Sequence, residues 1–258
     1  MIPIRHSPAP SPNAQLKRLT AKTGETNRQW LARVQAFKAP GDILLLGGNS
    51  LEHFRIRCAQ AHLRSDLLPS FWSFAGLLLD EDTFVSVPLS PPADLSQVPA
   101  QNGVQICQLA DYDDPARFPN VGVLRFPTSE SPLQLRAENE ADERNTIELV
   151  RRQRTILDLP GLILPWLGYV WGVGVHGNPL LEAKGLPSAA FIETVYGLAG
   201  IELTPGLSSA SSCPEAIWQA AKWWHQFYQQ QNAPAQQTAK TTPSGVYFTR
   251  QPAAAVVE

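Results

Sequence analysis

The chain has 258 residues, with 21 basic against 23 acidic side chains, a formal net charge of -2, and 43% hydrophobic residues including 9% aromatics. That length and apolar content support one sizeable core, and the near-neutral balance excludes a whole-chain field that would draw in nucleic acid or an anionic membrane. Charged residues make up 17%, below the roughly 25% usual in soluble domains, so the surface is polar more than ionic.

Residues 1–13, rich in Pro and Ser, read as a disordered arm without its own core. The opening MIPIRHSPAPSPN has no apolar h-region, so no secretory signal and a cytoplasmic location are expected. Between Gln15 and Phe37, the apolar residues Leu16, Leu19, Trp30, Leu31, Val34 and Phe37 suggest one or two helices, interrupted near Thr23-Gly24. A Pro40-Gly41 turn leads into Asp42-Ile43-Leu44-Leu45-Leu46, a run that fits a strand buried on both faces. Ser50 is a credible N-cap for a helix to about Arg64.

Gly47-Gly48-Asn49 belongs to neither a P-loop nor a dinucleotide fingerprint, so no nucleotide cofactor is expected. His53 and His62 lie nine apart, on faces that do not coincide, and read as ordinary histidines; a metal pair on a helix needs spacing of three or four. Phe71 to Leu79, the polar Asp80-Glu81-Asp82 and Thr83 to Val87 compose a hairpin. Ser90 to Gly103 is a Pro-rich loop, and Val104 to Leu109 and Val121 to Phe126 read as further strands. The acidic turn at Tyr112-Asp113-Asp114-Pro115 lacks the Gly and terminal Glu of an EF-hand, so no metal is expected there either.

Leu135 to Leu159 reads as a charged helix, with Arg151, Arg152 and Arg154 near its C-terminal part. Residues 159–175 carry no charge but are too short and too broken by Pro and Gly to span a bilayer; buried core or a protein interface is expected, with membrane contact as the alternative. Pro187 to Leu203 reads as a short helix capped by Ser188, stopped by Gly200 and followed by extended chain. Ser212, Pro214 and Glu215 open a helix to about Gln229, on which Trp218, Trp223 and Trp224 widen the aromatic coverage. The tryptophans of these two segments, Trp166, Trp171, Trp218, Trp223 and Trp224, are the candidate partner-binding residues, for a protein partner or a second copy of the chain. Residues 230–258 read as a flexible tail, which leaves residues 14–229 as a single domain with an N-terminal helical extension. The cysteines Cys58, Cys107 and Cys213 show no C-x-x-C spacing, and their odd number fits free thiols in a reducing compartment.

Three patches resemble the circularly permuted papain-like hydrolases of the NlpC superfamily, in its YiiX-like branch. Gly41-Asp42-Ile43-Leu44-Leu45 with Gly48-Asn49-Ser50-Leu51 looks like the family's opening strand and helix. Ser73-Phe74-Ala75-Gly76-Leu77 looks like its Ser-His-x-Gly-Ile/Leu strand, and Ser188-Ala189-Ala190-Phe191-Ile192 with Ala199-Gly200-Ile201 looks like its Cys-bearing helix. The resemblance implies an α+β fold, a small and mostly antiparallel sheet packed against helices. It also puts the family's catalytic Cys on Ser188, its His on Phe74 and its orienting residue on or near Ser86. Phenylalanine accepts no proton, and a serine without an adjacent base is a poor nucleophile. The expectation is therefore a catalytically inactive papain-like domain acting as a protein-binding or scaffold module. One alternative is a serine-dependent amidase or esterase using Ser188 with His176 as base; another is peripheral membrane or lipid binding through residues 159–175.

Overall fold

The computed structural model describes residues 16–35, 38–89, 102–126, 146–172, 177–230 and 243–250. The expected N-terminal arm, most of the Pro-rich loop, the first part of the helix expected from Leu135, His176 and parts of the expected tail lie outside the described residues. In chain order the elements are β1 (Leu16–Arg18), α1 (Asn27–Arg33), β2 (Ile43–Gly47), α2 (Leu51–Ala59), β3 (Phe74–Leu78), β4 (Thr83–Ser86), β5 (Gln105–Gln108), β6 (Asn120–Arg125), α3 (Thr146–Arg152), α4 (Leu159–Trp171), α5 (Pro187–Leu198), α6 (Pro214–Gln230) and β7 (Ser244–Thr249). This is an α+β architecture built on a seven-stranded mixed sheet in the order β1-β7-β6-β2-β3-β4-β5. Every neighbouring pair is antiparallel except β1 with β7.

Alternation along the strands builds two apolar layers. Ile43, Leu45, Ala75, Leu77 and Val85 join residues of α3, α4, α5 and α6 on one face. Leu44, Leu46, Phe74, Leu78 and Phe84 join Trp30 and Leu31 of α1 on the other. A strand covered on both sides needs apolar residues at successive positions, and β2 is buried throughout. The centre of the helical layer is α5, buried at every residue from Pro187 to Tyr196, which matches a helix that is apolar nearly all round. Tyr196 donates its hydroxyl to the Gly41 carbonyl at 2.8 Å, tying the end of α5 to the start of β2.

Local signals hold where nothing competes with them. Ser50 caps α2 by accepting from the His53 N–H, and Gly200, at φ 77°, lies just beyond α5. Two expected caps are replaced. Pro187 is the first residue of α5, so Leu186 occupies the cap position and Ser188 is the second helical residue. Ser212 gives its hydroxyl to Glu193, and the Glu215 carboxylate accepts from Ser70, so neither forms the expected capping box of α6. At α6 buried tertiary partners outcompete the local bonds, whereas at α5 the proline takes the first helical position and moves the cap back by two residues from Ser188.

Three segments depart from expectation at the level of secondary structure. The charged helix expected to run to Leu159 stops at Arg152, because Asp158 accepts from the Gly161 N–H and caps a separate helix, α4. Leu16 to Arg18 form a strand, because β7 offers them a ladder: Leu16 pairs with Gly245 and Arg18 with Tyr247. The expected flexible tail contributes β7 itself, which pairs with six residues of β6 and buries Val246 and Phe248.

Candidate functional site

Ser188 is 2% exposed, and its buried Oγ has no hydrogen-bond partner among the described residues. Its helix packs on the sheet face of Ala75 and Leu77. Phe74 alternates with those residues and so points to the opposite layer, where it stacks on Tyr112 (ring centroids 5.6 Å apart) and meets the edge of Phe84. Ser86 is fully buried on the strand paired to β3; it alternates with Val85, as Phe74 does with Ala75, and its hydroxyl donates to the Ala75 carbonyl. The three positions that the resemblance aligns with a catalytic triad are therefore divided between the two faces of the sheet. The β3 residues that do face α5 are an alanine and a leucine, and neither accepts a proton. Gly76 has a packing reason of its own, since a Cβ there would lie 2.3 Å from Phe84 Cδ2.

A hydroxyl–imidazole pair does form, in a place the sequence did not indicate. Ser73 Oγ lies 2.9 Å from His53 Nδ1 and accepts the Gly48 N–H at 3.1 Å. Burial pushes His53 down from 6.5 to about 4, so the imidazole is neutral near pH 7 and shares one hydrogen bond with Ser73 through Nδ1. The ring edge meets Phe118 at 5.2 Å, and Cδ2 lies where a Cβ on Gly48 would be, at 2.4 Å. Ser73 is itself buried, and among the described residues no carboxylate bonds the other ring nitrogen. The pair staples the first turn of α2 to the start of β3; it lacks the access and the orienting group of a nucleophilic dyad. Spacing alone could not have revealed it, because residues twenty apart meet only once β2 and β3 pair.

Buried polar clusters organise the helical layer. Glu193 Oε1 accepts from Thr204 Oγ1 at 2.6 Å and Ser212 Oγ at 2.9 Å, fixing the Ser-rich loop to α5. Glu215 accepts from Ser70 Oγ at 2.5 Å and from Gln219, with Arg64 Nη1 at 3.9 Å, while its N–H donates to Gln60 Oε1. Burial raises both carboxyls above the usual range against these donors. The hydrogen bonds are satisfied within the fold, so the clusters lock α6 against α2 and α5.

Of the candidate partner residues, two belong to the core. Trp166 is buried with its indole N–H donated to the Gly185 carbonyl at 2.8 Å, and Trp218 sits edge-on to Trp72 and Tyr247. Trp171 and Trp223 are each 52% exposed, and Trp223 stacks on Phe227 with Trp224 against its edge. A polar groove of about 380 Å³ runs between α1 and the β3–β4 turn, on the α1 side of the sheet, and its Arg28 and Glu81 are already bonded to Asp82 and Gln35. Among the described residues no cluster of His, Cys, Asp or Glu could hold a metal ion, and Cys58, Cys107 and Cys213 are free thiols. No described helix is long and apolar enough to cross a membrane. No protein-family model matches the chain, and no curated protein does so either.

Proposed function

We propose that the chain is a papain-like domain that does not hydrolyse substrate and works as a binding or scaffold module, in the cytoplasm. The observation that carries this reading is the environment of Ser188: 2% exposed, with its hydroxyl unpartnered among the described residues. A general base must come within hydrogen-bond reach, about 3 Å, of the proton it removes. Phe74 and Ser86 offer none, and both face the other apolar layer. The exposed aromatic sites, Trp171 on α4 and Trp223 on α6, are the surfaces on which a module of this kind would meet partners. Free thiols at all three cysteines fit a reducing compartment.

The test is chemical. Purified chain incubated with a fluorophosphonate probe and with peptide, amide and ester substrates should show neither labelling at Ser188 nor turnover. Turnover that disappears in Ser188→Ala would overturn the proposal and favour a serine hydrolase.

A further inference from the structure

We infer that the chain pairs with a second copy of itself along the outer edge of β5, an association that goes beyond the binding-module reading and does not depend on whether Ser188 reacts. The sheet order ends at β5, whose ladder to β4 runs from Gln105 opposite Ser86 to Gln108 opposite Thr83. Hydrogen bonding alternates along an antiparallel strand, and the next residue, Leu109, gives its N–H to the Asp82 carbonyl at 2.8 Å. By that parity Cys107 and Gln105 also turn their backbone groups to β4, whereas Ile106 turns its N–H and C=O outward and Gln108 its N–H. Among the described residues nothing is bonded to these three outward groups. Ile106 is 65% exposed, and it lies opposite Val85, so its side chain stands on the helical face of the sheet.

Backbone groups and charge choose the occupant. A row of open N–H and C=O groups is completed by another strand, and sheets guard exposed edges with Lys, Pro or a bulge. The opposite edge of this sheet is guarded, since β1 carries Lys17 and Arg18 among its three residues. β5, Gln-Ile-Cys-Gln, has neither charge nor proline. An antiparallel pair of identical strands is two-fold symmetric and sets its central side chain against its own counterpart. A charged strand would repel itself in that arrangement, and β5 would not. The Gln108 carbonyl caps the 3-10 turn Leu109–Tyr112 and accepts within it, so a register centred on Cys107 would lack an acceptor. Pairing is therefore centred on Ile106, whose N–H and C=O meet the C=O and N–H of the other copy's Ile106. The two isoleucines then lie on one face about 5.5 Å apart at Cα, each covering the other. A ladder of four residues is only about 14 Å long, well short of an interface of about 800 Å² per partner, so the association is reversible with concentration.

Sedimentation velocity over a wide concentration series tests the inference. The wild-type chain should shift from monomer toward dimer as its concentration rises. Ile106→Lys and Ile106→Glu, at an exposed position and with folding checked by circular dichroism, should each raise the dissociation constant at least about tenfold by setting like charges against each other. An equimolar mixture of the two variants should regain association, because residue 106 of each copy meets residue 106 of the other. A wild-type chain that stays monomeric at every concentration would overturn the pairing and leave the edge to a strand of another protein. A dimer insensitive to both variants, or one dissolved by Trp223→Asp instead, would move the contact to a different surface and overturn it as well. Failure of the mixture to associate would overturn the register centred on Ile106. Labelling or turnover at Ser188 would leave every one of these outcomes unchanged, so the two proposals fail separately.

Discussion

The hydroxyl of Ser188 is buried without a partner among the described residues, and a polar group in that condition costs stability compared with an apolar group of similar size. Ser188→Ala should therefore leave stability unchanged or raise it by about 1 kcal/mol, read as the urea midpoint. A clear loss of stability would mean that the hydroxyl is bonded after all. His53 supplies the opposite case, a polar side chain whose value depends on staying neutral. Free imidazole takes a proton below 6.5, whereas folded His53 does so only below about 4. Between those values the unfolded chain holds more protons, so this residue makes stability rise with pH across that window and contributes fully above it. The span corresponds to about 3 kcal/mol. Asp42, Glu193 and Glu215 have folded values raised by burial and act in the opposite sense as pH climbs out of the carboxyl range. The difference in pH dependence between wild type and His53→Asn isolates the histidine; parallel profiles from pH 4 to 6.5 would refute its assignment as a buried neutral staple.

Elements were legible in the sequence where their signal is local and their surroundings uniform. The unbroken apolar run of β2, the hairpin about Asp80-Glu81-Asp82 and the Ser50 cap are such cases, because both faces of the sheet are covered and the α2 cap has no buried competitor. The capping box expected for α6 did not form, since Glu193 and Ser70 reach the polar groups that local rules assign to it, and α5 starts two residues earlier than a Ser188 cap would place it because Pro187 takes its first position. The candidate site was legible only as positions: that Ser188 and Phe74 face different layers follows from strand parity against helix packing, which no single segment contains. The tryptophans divide for the same reason. On α6, Ile217, Trp218 and Ala221 turn inward, whereas Trp223, five residues after Trp218, lies on the outer side. Trp218→Ala should cost about 3–5 kcal/mol by opening a cavity beside Trp72 and Tyr247, and Trp223→Ala should stay within about 0.5 kcal/mol. Denaturant titration of the two variants checks the contrast, and comparable losses would show that Trp223 is packed.

At the scale of the whole molecule, the sheet is closed on one side by strands from opposite ends of the described chain. Composition could not disclose this, because the Gln-, Ala- and Pro-rich stretch that precedes β7 resembles a linker, and Leu16 to Arg18 are strand residues only by virtue of their partner. β7 lies between β1 and β6, buries Val246 and Phe248, and puts Phe248 against Trp30 with ring centroids 4.8 Å apart. Tyr247, on the other face, packs at 4.8 Å on Trp218, so the strand joins the α1 layer to the α6 layer. Removing it would uncover one edge of β6, leave β1 unpaired and strip two aromatic contacts at once. A domain of this size has a net stability of about 5–15 kcal/mol, and Phe248→Ala alone should remove about 3–5 kcal/mol. Truncation after Gln230 compounds several losses of that size. The truncated chain is expected to lose its near-ultraviolet dichroism and its cooperative urea transition, while the full-length Phe248→Ala variant keeps a single transition at a lower midpoint. If the truncated chain unfolded at the wild-type midpoint, β7 would be an accessory strand, and the fold would close at β6.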